Sequence, residues 1–336
     1  MPAQTAFDPF LREQQLRAES VSWDTAYVRA ARPGDIPLLD LTDWLQHGRT
    51  QDLQALSRQL RIACEEVGFF SIVGHGVDRS VIEAQFEQVR QFHAQPEEAK
   101  QSVRMDRAGW PHGGMGYLPM RNTKLPARDV VNVNEAFLVK ADHRITLADN
   151  QWPNPSRLPH FRAATELYAR SLLALGKRLL PVFADALEMP SDFFDAAFAE
   201  PSYRLRMTHY PPVDGHEFGI NPHVDTTFMT ILAQDSPGLA IYSERLSQWI
   251  AAPALDNAFV VNTGELLRQW TNDRFVSTKH FATNNTGQRS RYSIPFFFNA
   301  NADYVMQCIS SCTDADNPPR YAPVSYAGSQ AVAQGE

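Results

Sequence analysis

Apolar positions recur along this chain in two rhythms. In "TQDLQALSRQLRIACEEVG", Leu53, Leu56, Leu60 and Ala63 follow one another at three- and four-residue steps, which predicts an amphipathic helix. Ile82, Phe86 and Val89 predict a second helix, and residues 158–187, "LPHFRAATELYARSLLALGKRLLPVFADAL", a long third one, bent or ended near Pro181. Between them lie short apolar runs. "DIPLLDL" (35–41) and "GFFSIVGHGV" (68–77), the latter closed by a Gly-His-Gly turn, read as strands, as does "VNVNEAFLV" (131–139). Past residue 200 the helical rhythm stops, and β-rich pieces separated by turns take over: "YRLRMTHYPP", "HVDTTFMTILAQ", "LAIYS", "AFVVNTG" and "RYSIPFFFN". Repeated short strands at this spacing predict a barrel or double-sheet jelly roll.

The expected architecture is mixed α+β, a jelly-roll (double-stranded β-helix) core flanked by helices. Its expected parts are a polar extension (1–33), an N-terminal region of helices and strands (34–150), a helical segment (151–200), the β-core (201–302) and a tail (303–336). Residues 106–128, rich in Gly and Pro, read as a long loop, and loops of that length in a compact chain are usually functional or disordered.

Composition narrows the partners. With 31 Lys and Arg against 38 Asp and Glu, the net charge of −7 argues against a nucleic-acid backbone or an anionic membrane as main partner. No apolar stretch approaches the roughly 18 residues of a spanning helix, and the N-terminus lacks a signal core. Three cysteines make no disulfide framework, and Cys308 and Cys312 are a weak pair for a metal. The expectation is a cytoplasmic protein, monomeric or weakly homo-oligomeric.

Candidate chemistry gathers in the β-region. His223 and Asp225, two apart in "NPHVDTTFMTIL", would point to one face of a strand. Alone the pair proves nothing; a site needs a third ligand, and His209, His216 and His280 are all available. Two imidazoles and a carboxylate suit Fe(II) with three positions left open, although zinc accepts the same donors. Arg291, Ser293, Pro295 and Phe297 would share a face in "RYSIPFFFN", where a guanidinium beside a hydroxyl makes a clamp for a carboxylate. Tyr210, in "HYPP", would add a phenolic donor.

From about residue 34 to about 302 the chain resembles the isopenicillin N synthase-like group of 2-oxoglutarate/Fe(II) oxygenases. The resemblance is carried, in order, by "IPLLDL" with "ACEEVGFFSIVGHGV", by "LRMTHYPP", "PHVDTTFMTIL", "VVNTGELLRQWTNDRFVSTKH" and "RYSIPFFFN". It implies that His223, Asp225 and His280 bind Fe(II), that Arg291 and Ser293 hold the far carboxylate of 2-oxoglutarate with Tyr210 assisting, and that Phe297 faces the substrate. The implied reaction uses O2, releases succinate and CO2, and oxidises, most simply hydroxylates, a small organic molecule. Two positions depart from the pattern: Phe281 follows the distal histidine in place of the usual Arg, and Thr208 stands where Asn is more common. "MTHYPPV" also looks like the fungal thymine-hydroxylase branch. Alternatives are an oxidase of the isopenicillin N synthase type that needs no 2-oxo acid, and a non-catalytic jelly roll binding a metal or small acid. The substrate pocket is expected to draw on the 106–128 loop, with Tyr117 and Arg121 as contacts and Lys124 and Arg128 nearby, on residues 131–139, on Phe297 and on the chain after 300.

Overall fold

The computed structural model describes residues 27–106, 115–121, 131–214 and 218–327. His216, Lys124, Arg128 and most of the 106–128 segment lie outside them.

In chain order the strands are β1 (Val28–Ala30), β2 (Leu38–Asp40), β3 (Phe69–Val73), β4 (Gly116–Leu118), β5 (Glu135–Ala141), β6 (Ser202–Tyr210), β7 (Ile220–His223), β8 (Met229–Gln234), β9 (Leu239–Ser243), β10 (Gln248–Ala251), β11 (Phe259–Thr263), β12 (His280–Ala282), β13 (Arg291–Asn299), β14 (Val305–Met306) and β15 (Val324–Ser325). The helices are α1 (Thr42–His47), α2 (Thr50–Glu66), α3 (Arg79–His93), α4 (Glu97–Gln101), α5 (Phe161–Ala186) and α6 (Glu265–Trp270). Eight strands form one sheet in the order β2-β3-β11-β8-β13-β6-β5-β4, and five form a second, β1-β10-β9-β12-β7.

Side-chain alternation gives the large sheet two chemically different faces. One row of cross-strand neighbours, Phe70, Val261, Ile231, Phe296, Leu205 and Val139, runs across six strands and is wholly buried in the main core with α2, α3 and α5. The next row, Asn262, Thr230, Phe297, Arg204 and Lys140, is mostly polar and belongs to the opposite face. Alternation between oily and polar strand positions thus sorts core from site.

The helices form for the reasons their sequences suggest. α2 buries Leu56, Leu60, Ala63 and Cys64 along one stripe, and α3 starts at Asp78, whose carboxylate accepts from the Ser80 amide at 2.8 Å. In α5, Gly176 lets the helix approach β13 closely, since a Cβ there would stand 3.3 Å from the Phe298 ring.

Four expectations need correction. α5 does not end at Pro181 but continues to Ala186, because Leu179, Leu180, Val182 and Phe183 are buried around the proline and outweigh its lost hydrogen bond. Strand β4 lies inside the stretch read as loop; it adds to the edge of the large sheet through β5. Strand β1 lies inside the stretch read as an extension, pairing in parallel with β10, with Arg29 bonded to Asp35 at 2.7 Å. The described part of the tail, to residue 327, is packed: Met306, Ile309, Cys312 and Tyr321 belong to the core.

Candidate active site

Antiparallel pairing of β7 with β12 sets His223 directly opposite His280, their ring centroids 4.2 Å apart. Asp225 follows just past β7, and its Oδ1 lies 3.7 Å from the Nε2 of each histidine. Sequence left three histidines as candidates for the third ligand; His280 is the one brought to His223 and Asp225.

Hydrogen bonds behind these groups aim their remaining lone pairs at one point. His223 Nδ1 is 2.7 Å from the Asn221 carbonyl and His280 Nδ1 is 3.1 Å from the Thr278 carbonyl. A carbonyl only accepts, so each Nδ1 carries the proton and each Nε2 is a free donor to a metal. Asp225 Oδ2 accepts from Thr230 Oγ1 at 2.6 Å and from Asn262 Nδ2 at 2.9 Å, which reserves Oδ1. Burial and then neighbouring His280 push the His223 imidazole down to about 3, so it stays neutral. Burial by itself would raise the Asp225 carboxyl, but the two histidines and these two hydrogen bonds outweigh it and hold the pKa below the ordinary value.

The donor set fits a divalent metal. Ligand atoms bound at about 2.1 Å and right angles lie about 3 Å apart, so the donors, 3.7 Å apart here, need only draw in by some tenths of an ångström, and the chemistry is two neutral nitrogens with one carboxylate. No fourth protein ligand joins the group among the described residues, as an open catalytic site requires and a structural zinc site does not.

Arg291 opens β13 on the polar face, 5% exposed. Its Nε donates to the Ser236 carbonyl at 3.2 Å, Nη2 donates to Gln234 Oε1 at 3.1 Å, and its guanidinium carbon lies 4.6 Å from the Tyr210 ring centroid. Among the described residues its buried Nη1 finds no acceptor. Ser293 Oγ lies 3.4 Å from Tyr210 Oη. A fixed guanidinium with an unused NH2 group, beside two hydroxyls, is a receptor for a carboxylate. Phe297, half-buried, occupies the same face of β13 opposite Thr230, the residue that holds Asp225.

Tyr117 does not join this group. Pairing in the row Tyr117, Phe137, Met207 places it on the helix side, where its hydroxyl donates to Glu135 at 2.5 Å. The reason is parity: Tyr117 shares a face with His209, not with Tyr210. Arg121 is exposed just beyond the strand, bordering undescribed residues.

On that helix side His93, Glu135 and His209 form a second cluster of two histidines and a carboxylate. It is a filled polar knot. Glu135 accepts from His209 Nδ1 at 2.7 Å, Lys100 Nζ at 2.7 Å and Tyr117, and Tyr292 stacks on His209 at 4.8 Å. Lys100 already balances the carboxylate, so a divalent ion would add uncompensated buried charge. Thr230 and Asn262 were not foreseen as part of the site; the signal was a polar residue breaking each apolar run, "FMTIL" and "VVNTG".

Two family models match the chain: the 2OG-Fe(II) oxygenase superfamily over residues 201–300, and the N-terminal region described as that of non-haem dioxygenase in morphine synthesis over residues 36–155. A 2-oxoglutarate-Fe(II) type oxidoreductase of Emericella nidulans is 32% identical, aligned over 86% of each chain. A 2-oxoglutarate-dependent dioxygenase of Didymella fabae is 30% identical over 81% of this chain and 87% of its own. Among solved structures, a full-length Neurospora crassa protein in complex with alpha-ketoglutarate superposes with a TM-score of 0.80 at 22% identity, covering 92% of this chain and 99% of that one. A 2OG-Fe(II) oxygenase family protein from Caulobacter crescentus gives 0.76 at 26% identity, over 89% and 98%.

The chain belongs to the 2-oxoglutarate/Fe(II) oxygenase superfamily. It is a non-haem iron dioxygenase that uses Fe(II), 2-oxoglutarate and O2 on small molecules, built on a jelly-roll core. Among the described residues no helix is long and apolar enough to cross a membrane.

Proposed function

We propose that the enzyme hydroxylates a small organic molecule, with His223, Asp225 and His280 holding the Fe(II) and with Arg291, Ser293 and Tyr210 holding the far carboxylate of 2-oxoglutarate. The balanced reaction converts R–H, 2-oxoglutarate and O2 into R–OH, succinate and CO2. When bound, the iron supplies oxygen activation and oxidation of the C–H bond. The protein's part is geometry. The two carbonyl-anchored histidines and the twice-bonded Asp225 present three donors on one side, leaving the other side for reactants. Arg291 orients the 2-oxo acid by its far end, and Phe297 forms an apolar wall beside Asp225.

The observation that carries this reading is the unpartnered, buried Nη1 of Arg291 on the same face as Tyr210 and Ser293. Losing one side of a buried charge-assisted pair costs roughly 3–5 kcal/mol. Arg291→Ala should therefore weaken 2-oxoglutarate binding at least about a hundredfold, measured by titration of the Fe(II) enzyme under nitrogen. Arg291→Lys should recover only part, since an ammonium lacks the fork. 2-Oxo acids without the far carboxylate should bind variant and native protein equally. Unchanged 2-oxoglutarate affinity in Arg291→Ala would overturn the assignment.

A further inference from the structure

A second arginine faces the same space. Arg206 lies in the middle of β6, 5% exposed, two residues from Thr208 and four from Tyr210, and so on their face of the strand. The pairing Ser293–Thr208 and Arg291–Tyr210 puts it on the Arg291 side of the sheet, further from the Arg291 end, toward Phe297. It is near enough to Asp225 and His223 for its charge to act on both. Its support is one-sided: Nη2 donates to Asn134 Oδ1 at 2.9 Å, and that amide is itself fixed by donating to the Gly219 carbonyl at 2.6 Å. The Nε is buried and, among the described residues, without an acceptor; so is the hydroxyl of neighbouring Thr208, 0% exposed. A buried guanidinium with an unused N–H is destabilising unless a ligand completes it.

Charge identifies that ligand. Taking the assignments proposed above, Asp225 offsets one charge of Fe(II), and the two carboxylates of 2-oxoglutarate offset the other together with Arg291. The charge of Arg206 is left over. Two more cations, Arg204 and Lys140, follow on the same face, paired across β6 and β5, and burial and then Arg204 push the Lys140 ammonium below its usual value. This face therefore gathers positive charge beyond what the cosubstrate neutralises.

We infer that the substrate is a small organic acid with a single negative charge, its carboxylate held by Arg206 with Thr208 beside it, and that Arg206 is the specificity-determining residue. This rests on the assignment of Arg291 to 2-oxoglutarate. A substrate anchored on Arg206 presents its C–H bonds toward the His223–Asp225–His280 side while leaving the Arg291 end free.

The test is equilibrium binding to the Mn(II)·2-oxoglutarate enzyme, by calorimetry, with no turnover required. Benzoate, phenylacetate and hexanoate are compared with benzamide, phenylacetamide and hexanamide, and with thymine as an uncharged acceptor. At least one acid should bind tenfold or more tighter than its amide and tighter than thymine. R206Q should erase that preference while 2-oxoglutarate affinity stays within threefold, which also reports an intact fold; R206K should keep part of it. Amides or thymine binding as well as the acids, no acid binding at all, or an R206Q enzyme that keeps the preference would each overturn the inference, and the native comparison stands even if a variant fails to fold. The two readings separate cleanly. Loss of 2-oxoglutarate affinity in R291A with no acid preference sinks only this inference. Loss in R206Q but not in R291A would make Arg206 the cosubstrate clamp and sink both.

Discussion

A Cβ at Gly238 would stand 2.5 Å from Arg291 Nε and 2.7 Å from its Cδ, and the residue's φ of +153° is one that other residues rarely adopt. The glycine makes room for the guanidinium proposed to hold 2-oxoglutarate. Gly238→Ala should push Arg291 off its bonds to Ser236 and Gln234 and weaken 2-oxoglutarate binding by about tenfold or more, roughly 1.4 kcal/mol. Metal affinity should stay unchanged, because none of the hydrogen bonds that hold His223, Asp225 and His280 runs through Gly238 or Arg291. Paired titrations with Mn(II) and with 2-oxoglutarate check this. Equal losses in both would point to general misfolding instead.

At the scale of elements, β5, β6 and α3 are stitched by the knot around Glu135. Burial alone would raise this carboxyl, but bonds from His209, His93 and Lys100 hold it far below the ordinary carboxylate range. A depressed folded-state pKa contributes stability that is complete above the unfolded value of about 4.3 and is lost as pH falls below it. Glu135→Gln leaves buried Lys100 with only the exposed Glu97 carboxylate, 3.2 Å away, and should cost about 3 kcal/mol at neutral pH. Denaturant melts carried from about pH 7 down to about 2.5 should show the native protein losing stability below about pH 4.3 and the variant losing less, so that the two curves draw together. Parallel curves would mean that Glu135 does not titrate in the knot.

The same strands mark how far sequence could be read. The His-x-Asp pair, the Arg-x-Ser strand and the turn to β-rich texture after residue 200 were all legible, because each is a local pattern. Tyr117 was not, since local parity says which residues share a face but only pairing with β5 and β6 says which face looks toward His223. Pro181 misled because its cost is local whereas the burial that overrides it comes from residues distant in sequence. Thr230 and Asn262 escaped notice because a threonine and an asparagine in strands have many innocent explanations until Asp225 is seen between them.

For the whole molecule, ligand binding and folding share one free energy. A ligand at 100 times its Kd stabilises the native state by about 2.7 kcal/mol, enough to raise the melting temperature of a chain this size by several degrees. Mn(II) should raise it once and 2-oxoglutarate a second time, EDTA should reverse both, and Arg291→Ala should keep the first rise while losing the second. Scanning calorimetry of the four states decides. A 2-oxoglutarate increment that survives in the variant would contradict the clamp.

The proposed metal ligands are divided between the two sheets. His223 and His280 sit on β7 and β12 at the end of the five-stranded sheet, while Asp225 is gripped by Thr230 of β8 and Asn262 of β11 in the eight-stranded one. An ion bound there is a rivet through both layers, and β7, an edge strand with β12 as its one neighbour in that sheet, is the plate it fastens. Iron supply would then govern the lifetime of this enzyme as well as its rate. A chain starved of metal should then fray along β7 and be cut faster by proteases, which limited proteolysis with and without Mn(II) would check.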